Sequence, residues 1–324
     1  MSKQIGHSAL ASLILGAAML AVITGSSPLA DESSSFSRRE ITIKSSEHSQ
    51  LRQLALTGKS TELIRKATLT IEKNAHDSDA FYFRAFGESD SKRKLDSALI
   101  DINRAVALHP EIGAYYALKA AVLHGLEEDE AAIEASDMAR KLLPEDANVW
   151  NYRAAILSCL NQPGEAIKSV NVAIRLDGHN AQYHSTKARV LARLCRWNEA
   201  IEQLNEGLRL DPTNKIMHAD RASIAVRVKQ WGLAISDSTW LIAHNNGLLN
   251  RERDLHTRAN SYVATKQYES ALQDYRAAIK LFPDDRDLHA DLCKLYEIVG
   301  EKQSADKERK WLRAFDQDTT PAQQ

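Results

Sequence analysis

The sequence predicts an all-α fold in which helical hairpins are stacked one on the next. Alanine recurs along the 324-residue chain at steps of 34, 34, 34, 34, 37 and 34 residues. These seven landmark alanines are Ala98, Ala132, Ala166, Ala200, Ala234, Ala271 and Ala305. A second landmark, mostly Ala, Gly or Leu, stands seven residues after each one, and a turn former usually follows five residues later. Such a fixed period indicates a repeat protein whose units pack only on their neighbours.

The third repeat, ANVWNYRAAILSCLNQPGEAIKSVNVAIRLDGHN, shows why each unit is expected to contain two helices. Apolar residues such as Ile167 and Val170 recur at helical spacing. We therefore expect helices near Ala147–Leu160 and Pro163–Leu176. Only a small side chain lets the two backbones cross closely, and a Leu in place of Ala166 would overpack the crossing by roughly 1–3 kcal/mol.

These units resemble the tetratricopeptide repeat (TPR) family. The resemblance covers roughly Asp79 to Leu312, and in three units a large ring stands three residues before the landmark alanine: Trp197, Trp231 and Tyr268. It implies a TPR solenoid, a right-handed superhelix of antiparallel helix pairs whose first helices line a concave groove. The step of 37 is interpreted as a longer inter-repeat loop, formed by Gly247-Leu248-Leu249.

The remaining segments flank this array, which we place at residues 79–315 with about seven repeats. Residues 31–46 are Ser-rich and charged, as is typical of a flexible linker. Residues 47–78 hold two weaker helical stretches, near Leu51–Leu56 and Thr61–Lys73, and are interpreted as a degenerate capping repeat. A last helix is expected from Ser304 to Phe315, followed by a disordered tail at residues 316–324.

The first 30 residues differ in character from the rest of the chain. An apolar run from about Ala9 to Ile23 follows Lys3, and the small residues up to Ala30 precede an acidic pair. This pattern predicts a secretory signal peptide. An N-terminal membrane anchor is the alternative, although the run is shorter than the 20 or so apolar residues that span a bilayer. The expected location is therefore periplasmic or extracellular, or alternatively anchored to the membrane by this segment.

Composition and motifs argue against nucleic-acid binding and catalysis. The chain has 42 basic and 43 acidic residues and a net charge of −1, so no basic excess suggests a nucleic-acid partner. It contains no P-loop, GxSxG or HExxH motif. We therefore expect no enzyme activity, no cofactor and no metal. A disulfide between Cys159 and Cys195 is left open.

Histidine recurs at one repeat position, as His184, His218 and His289, where the third repeat has Trp150. Residues at matching positions of neighbouring repeats lie on separate helices about 10 Å apart, so they cannot converge on one metal ion. We expect packing histidines.

A basic residue followed by alanine recurs in six consecutive units, as in Arg84, Lys119, Arg153, Lys187, Arg221 and Arg258. In a TPR subtype that the chain resembles, this residue packs between the two helices and pairs with an acid on the second helix. Asp101, Asp237 and Asp274 are placed to do so. Ala135, Ser169 and Gln203 stand at that position in repeats two to four, where the basic head needs another partner or reaches water.

The resemblance also indicates which first-helix residues would line the groove. We call them the groove set: Asn148, Asn151, Gln182, Ser185, Arg189, Arg193, Arg227, Arg253, His256, Asn260 and Lys294. Ser223 lies at the same spacing, and the second repeat offers Ala114, Ala117 and Ala121 there. Asn can pair with a peptide backbone and Arg with a carboxylate. The set therefore suggests an acidic or C-terminal peptide ligand, although the full carboxylate-clamp pattern of some TPR domains does not map onto it.

We therefore expect a non-catalytic scaffold that binds a protein or peptide partner in its concave groove, outside the cytoplasm, in complex assembly or trafficking. The alternative is an accessory subunit of a cell-envelope enzyme or glycan-handling machine. Both functions predict binding without turnover.

Overall fold

The computed structural model describes residues 46–89, 92–244 and 247–318, and within these residues it contains sixteen α-helices, one short 3-10 helix at Lys92–Lys94 and no strand. The helices are α1 Ser46–Leu56, α2 Ser60–Lys73, α3 Ser78–Ser89, α4 Leu95–Leu108, α5 Gly113–Gly125, α6 Asp129–Leu142, α7 Ala147–Cys159, α8 Pro163–Leu176, α9 Ala181–Arg193, α10 Trp197–Leu210, α11 Lys215–Arg227, α12 Trp231–His244, α13 Leu248–Ala264, α14 Tyr268–Leu281, α15 Arg286–Val299 and α16 Lys302–Asp318. The all-α prediction is confirmed.

The described residues divide into two compact units, an N-terminal unit that ends at Leu194 and a C-terminal unit that begins at Cys195. In the N-terminal unit each described helix packs on the next, and the first helices of neighbouring repeats also touch, as α3 with α5, α5 with α7 and α7 with α9. In the C-terminal unit helices α10 to α16 pack in the same sequential way, and α11 touches α13. First helices thus share one face within each unit.

Helix bounds agree closely with the repeat pattern. In the third repeat, α7 ends one residue before the expected Leu160 and α8 has the expected bounds. Pro163 opens α8, where its missing N–H costs no hydrogen bond. The final helix continues to Asp318, three residues into the segment expected to be a tail.

The prediction of a longer loop at residues 247–249 is wrong. Gly247 is the N-cap of α13, and residues 248 and 249 are already helical, so the insertion lengthens a first helix instead of a loop. The physical reason is that adding a residue to an existing helix costs far less than starting one, and Leu is a good helix former.

The seven landmark alanines are all buried, and none is more than 2% exposed. Ring and aliphatic side chains surround them, including Tyr115 and Ile156 in the N-terminal unit and Tyr275 and Leu288 in the C-terminal unit. Each core is thus a series of hairpin junctions in which a small residue admits the neighbouring helix.

Several of the described hairpin turns contain a residue with left-handed backbone, which strains residues other than glycine. Gly300 has a left-handed φ of 82°, which glycine adopts at no cost. Glu127, Cys195, Lys229 and Lys266 take φ values of 59–65° at equivalent turns. Left-handed backbone costs an ordinary L-residue roughly 1–2 kcal/mol. The sequence therefore gives up some stability at these turns.

The predicted pairs of basic and acidic residues are present. Arg84 donates to both carboxylate oxygens of Asp101 at 2.6 and 2.8 Å. Arg221 and Arg258 bind Asp237 and Asp274 in the same bidentate way, at 2.7 and 2.8 Å. These pairs are largely buried, and the two-point geometry holds the guanidinium plane between the helices.

Each of these arginines also reaches the second helix of the preceding repeat. Arg221 donates to Asn205 at 2.7 Å and Arg258 to Thr239 at 3.1 Å. Arg153, whose own second helix offers only Ser169, finds its acid on the preceding helix, as Asp137 at 2.9 Å. The expectation of another partner in the third repeat is confirmed.

The predicted signal peptide or anchor at residues 1–30 and nearly all of the predicted linker lie outside the described residues. Within the described ranges, none of the helices has the length and apolarity that crossing a bilayer requires.

Candidate functional site

The groove set lies on the first helices, and in the N-terminal unit two of its six residues are buried. Asn151 is 3% exposed and Ser185 is 2% exposed, although both were expected to face a ligand. Ala121 on α5 and Ala155 on α7, at the repeat position that Arg189 takes on α9, are also buried. Small side chains here let neighbouring first helices lie close together, so little of this face is accessible.

Asn148 is occupied within the protein. Its Oδ1 accepts a 2.7 Å hydrogen bond from the hydroxyl of Tyr183, which joins α7 to α9. Gln182 and Arg189 are half-buried, and Arg193 is exposed. Arg193 on α9 is therefore the one fully exposed member of the groove set in this unit.

In the C-terminal unit the repeat position of Ala121 and Ala155 is more open, since Ser223 and Lys294 take it and both are exposed. Arg227 and Arg253 are exposed as well. The guanidinium of Arg227 lies 5.5 Å from the ring centroid of Trp197, a cation–π contact that orients it without neutralising it. First helices α11, α13 and α15 thus carry cations that water, and hence a ligand, can reach.

An acid that the sequence did not identify divides this basic surface. Asp291 on α15 accepts from His256 Nε2 at 2.9 Å and from Lys294 Nζ at 2.8 Å. The hydrogen bond that His256 donates to Asp291 raises the pKa of His256 and lowers the pKa of Asp291. Both effects favour the charged pair, so His256 links α13 to α15.

Asn260 is also partly committed, because its Oδ1 accepts a 2.6 Å hydrogen bond from Tyr275. Arg253 lies 3.6 Å from Asp254 but keeps 59% of its side chain exposed, and Lys294 keeps 70%. The cations best placed for a ligand are therefore Arg227, Arg253 and Lys294. Asp291 is the sixth residue of its first helix, a repeat position that the groove set does not include, so the repeat spacing did not predict its role.

The N-terminal unit holds a polar cluster that sequence reasoning missed. Buried His124, near the end of α5, shares a 2.8 Å hydrogen bond through Nδ1 with Asp129, at the start of α6. Burial acts to lower the pKa of His124, but its interactions with Cys159 and Asp129 outweigh burial and raise it. This cluster ties the turn of the second repeat to α7.

The recurring histidines pack as expected. His218 Nε2 and His289 Nε2 lie 3.1 and 2.9 Å from the carbonyl oxygens of Pro212 and Pro283, and Trp150 donates to Pro144 in the same way at 2.7 Å. His218 stacks on Trp240, with ring centroids 4.0 Å apart. No group of three His, Cys, Asp or Glu side chains that could hold a metal ion occurs among the residues that the structure describes.

The cysteines are free thiols. Cys159 is half-buried, Cys195 is exposed and Cys293 is buried. The disulfide left open between Cys159 and Cys195 is not formed. Cys293 lies 3.4 Å from the carbonyl oxygen of Ala305, consistent with a small packing residue.

Comparisons with known proteins agree with this architecture. A family model described as tetratricopeptide repeat matches residues 181–214 and 253–285. No curated protein matches the sequence.

Solved structures show the same fold. The structure titled for pilF of Pseudomonas aeruginosa is 16% identical, with 68% of this chain and 100% of that chain covered and a TM-score of 0.58. A tetratricopeptide repeat protein of Parabacteroides merdae is 15% identical, covers 78% of this chain and 99% of its own, and gives a TM-score of 0.53. A monomeric IFIT1 mutant with m7Gppp-AAAA is 14% identical, with coverages of 83% and 70% and a TM-score of 0.58. At these identities the likeness shows the fold alone. The predicted all-α TPR solenoid is confirmed.

Proposed function

Because the chain is a tetratricopeptide repeat protein, we propose that it is a non-catalytic scaffold that binds a protein partner through an acidic peptide segment. The binding surface is the exposed first-helix face of the C-terminal unit, on α11, α13 and α15. TPR proteins generally bind proteins or peptides, which supports a binding role.

The observation that carries this proposal is the exposure of Arg227, Arg253 and Lys294 on the first helices of one unit, with Lys294 at the repeat position where Ala121 and Ala155 are buried. Three accessible cations on one set of first helices suit a carboxylate-rich ligand, because Arg can take a carboxylate with two parallel hydrogen bonds. Asp291 pairs with Lys294 and His256. The main contacts with the acidic ligand are therefore expected from the other two cations, Arg227 and Arg253.

The charge balance favours a peptide over a nucleic acid. The C-terminal cations are interrupted by Asp291, which pairs with Lys294, and Arg253 lies 3.6 Å from buried Asp254. Phosphate-backbone binding needs a continuous basic face, and each phosphate contact makes affinity fall steeply with salt. A short acidic segment needs only two or three cations.

We propose that the protein works outside the cytoplasm, because residues 1–30 have the sequence pattern of an export signal. Cell fractionation combined with mass measurement of the mature N-terminus tests this. A shortened protein in the periplasm or medium is the expected result, and a full-length cytoplasmic protein would contradict it.

Binding is tested by fluorescence anisotropy with three labelled ten-residue peptides: one acidic, one acidic with an amidated C-terminus and one basic. The acidic peptides should bind and the basic one should not. Combining Arg227→Ala, Arg253→Ala and Lys294→Ala should weaken acidic-peptide binding at least tenfold, or about 1.4 kcal/mol.

A matched control removes three exposed cations from second helices of the same unit, by Lys280→Ala, Lys307→Ala and Lys310→Ala. It changes net charge equally and should leave affinity within about twofold. Equal losses in both variants would show general charge attraction and contradict the proposed surface. Tight binding of the basic peptide would also overturn it.

A further inference from the structure

We propose that the N-terminal unit binds a small monocarboxylate with an apolar chain, in a cavity between α4, α5 and α6. This site is separate from the protein-binding surface proposed above. The proposal rests on the second repeat, which is the one described repeat in which an unpaired basic residue lies beside a cavity.

In repeats one, three, five and six, the basic residue on the first helix bridges two second helices. Its guanidinium binds an acid or hydroxyl on its own second helix and a polar side chain on the preceding one. Arg221, between Asp237 and Asn205, is the clearest example, with all three contacts at 2.7–2.8 Å.

The second repeat keeps two of the three groups that form this bridge. Lys119 supplies the cation and Asn103 stands where Asn205 stands in the later repeat, but Ala135 replaces the acid. Half-buried Lys119 forms no ion pair within 4.0 Å among the described residues. A carboxylate is therefore missing beside a cation and an amide.

A cavity of about 400 Å³ lies at this place. Lys119, Asn103 and Ala135 line it, together with the apolar side chains of Leu99, Leu123 and Met138. A ligand carboxylate can take the place of the absent aspartate, accept from the Lys119 ammonium and the Asn103 amide, and lay its hydrocarbon chain on the apolar wall.

Two acids limit the charge of the ligand. Glu128 and Glu134 also line the cavity, and both are exposed. Like charges repel, so a second carboxylate at the far end of the ligand chain is disfavoured. The cavity therefore suits a monocarboxylate better than a dicarboxylate of the same length.

The test uses the full chain and sodium hexanoate as the probe, with affinity measured by ligand-observed NMR. Hexanoate should bind in the millimolar range, and affinity should rise about fourfold per added CH₂ from acetate upward until the chain fills the apolar wall. Hexanamide, which lacks the charge, and adipate, which has two, should each bind at least tenfold more weakly.

Two variants locate the site. Lys119→Met removes the cation and should reduce hexanoate affinity at least tenfold. Ala135→Asp supplies the missing carboxylate from the protein itself, as in three other repeats, and should abolish binding while raising the melting temperature. Lys141→Met, an exposed lysine on α6, is the matched control and should change nothing.

Hexanoate binding that is unchanged by Ala135→Asp, or no stronger than hexanamide binding, would overturn the proposal. The proposal would also be overturned if hexanoate showed no binding at the highest concentration at which it dissolves. None of these outcomes bears on peptide binding by the C-terminal unit, so the two proposals fail independently.

Discussion

The two units use the same repeat but treat its first-helix face in opposite ways. In the N-terminal unit, Ala121, Asn151, Ala155 and Ser185 on this face are buried. In the C-terminal unit Ser223 and Lys294, which take the repeat position of Ala121 and Ala155, are exposed, as are Arg227 and Arg253. A shared period therefore does not imply a shared working surface.

The difference follows from side-chain size at a few positions. Alanines on α5 and α7 allow neighbouring first helices to approach, and Tyr183 then closes the face by binding Asn148. Longer, charged side chains on α11, α13 and α15 keep their heads in water. The N-terminal face gains packing and the C-terminal face gains accessible charge.

The largest expected effect comes from placing a charge on the closed face. Ala155→Arg would bury a guanidinium among packed helices and should lower the free energy of unfolding by about 3 kcal/mol or more. Ser223→Arg, at the same repeat position in the open unit, should stay within about 0.5 kcal/mol of wild type. Urea unfolding of both variants measures the contrast, and equal losses would show that the two faces do not differ.

The next effect concerns the buried arginines. Asp274→Ala leaves Arg258 without its carboxylate and should cost about 3 kcal/mol, because a largely buried charge loses its partner. Ser169→Ala leaves Arg153 paired with Asp137 and should cost about 1 kcal/mol. Thermal unfolding of the two variants tests this order, and a reversed order would contradict the bridging role of the acid.

Two asparagines should respond with opposite signs. Asn151 Oδ1 is buried without a hydrogen-bond partner, so Asn151→Leu should stabilise the protein by about 1 kcal/mol. Asn260→Leu removes the acceptor of the Tyr275 hydroxyl and should destabilise it by a similar amount. Chemical denaturation measures both signs. A loss on Asn151→Leu would mean that this side chain has a role the contacts do not show.

The smallest expected effect is a pH dependence at α13 and α15. The pKa of His256 is raised, so the pair's contribution is complete below the ordinary histidine pKa of about 6.5 and disappears as pH rises through the raised value. The pKa of Asp291 is lowered, so the contribution also disappears as pH falls through that value. The stability gap between wild type and His256→Gln should therefore be larger at pH 5.5 than at pH 8.5. A gap that grows toward pH 8.5 would contradict the charged pair.

The sequence predicted the features that depend on spacing alone. A period of 34 was enough to locate the hairpins of the third repeat within one residue, and the basic–acidic spacing identified the partners of Arg84, Arg221 and Arg258. These contacts lie inside one repeat, so they are set by helix geometry.

Features that depend on how closely neighbours approach could not be read from spacing. Asn151 and Ser185 satisfy the groove pattern and are nevertheless buried, because the approach of α5, α7 and α9 is a property of several helices together. Asp291 was missed because its role depends on a histidine 35 residues earlier. The cavity beside Lys119 required coordinates, although the missing acid at Ala135 was visible in the sequence.

The most direct test of the open C-terminal face is thiol labelling in a background in which Cys159 and Cys195 are replaced by Ser and Cys293 by Ala. Ser223→Cys and Ala155→Cys are then each exposed to maleimide, with and without saturating acidic peptide. We expect rapid labelling at position 223 that the peptide slows at least tenfold, and labelling at position 155 only on unfolding. Rapid labelling at position 155, or no protection at position 223, would contradict the account.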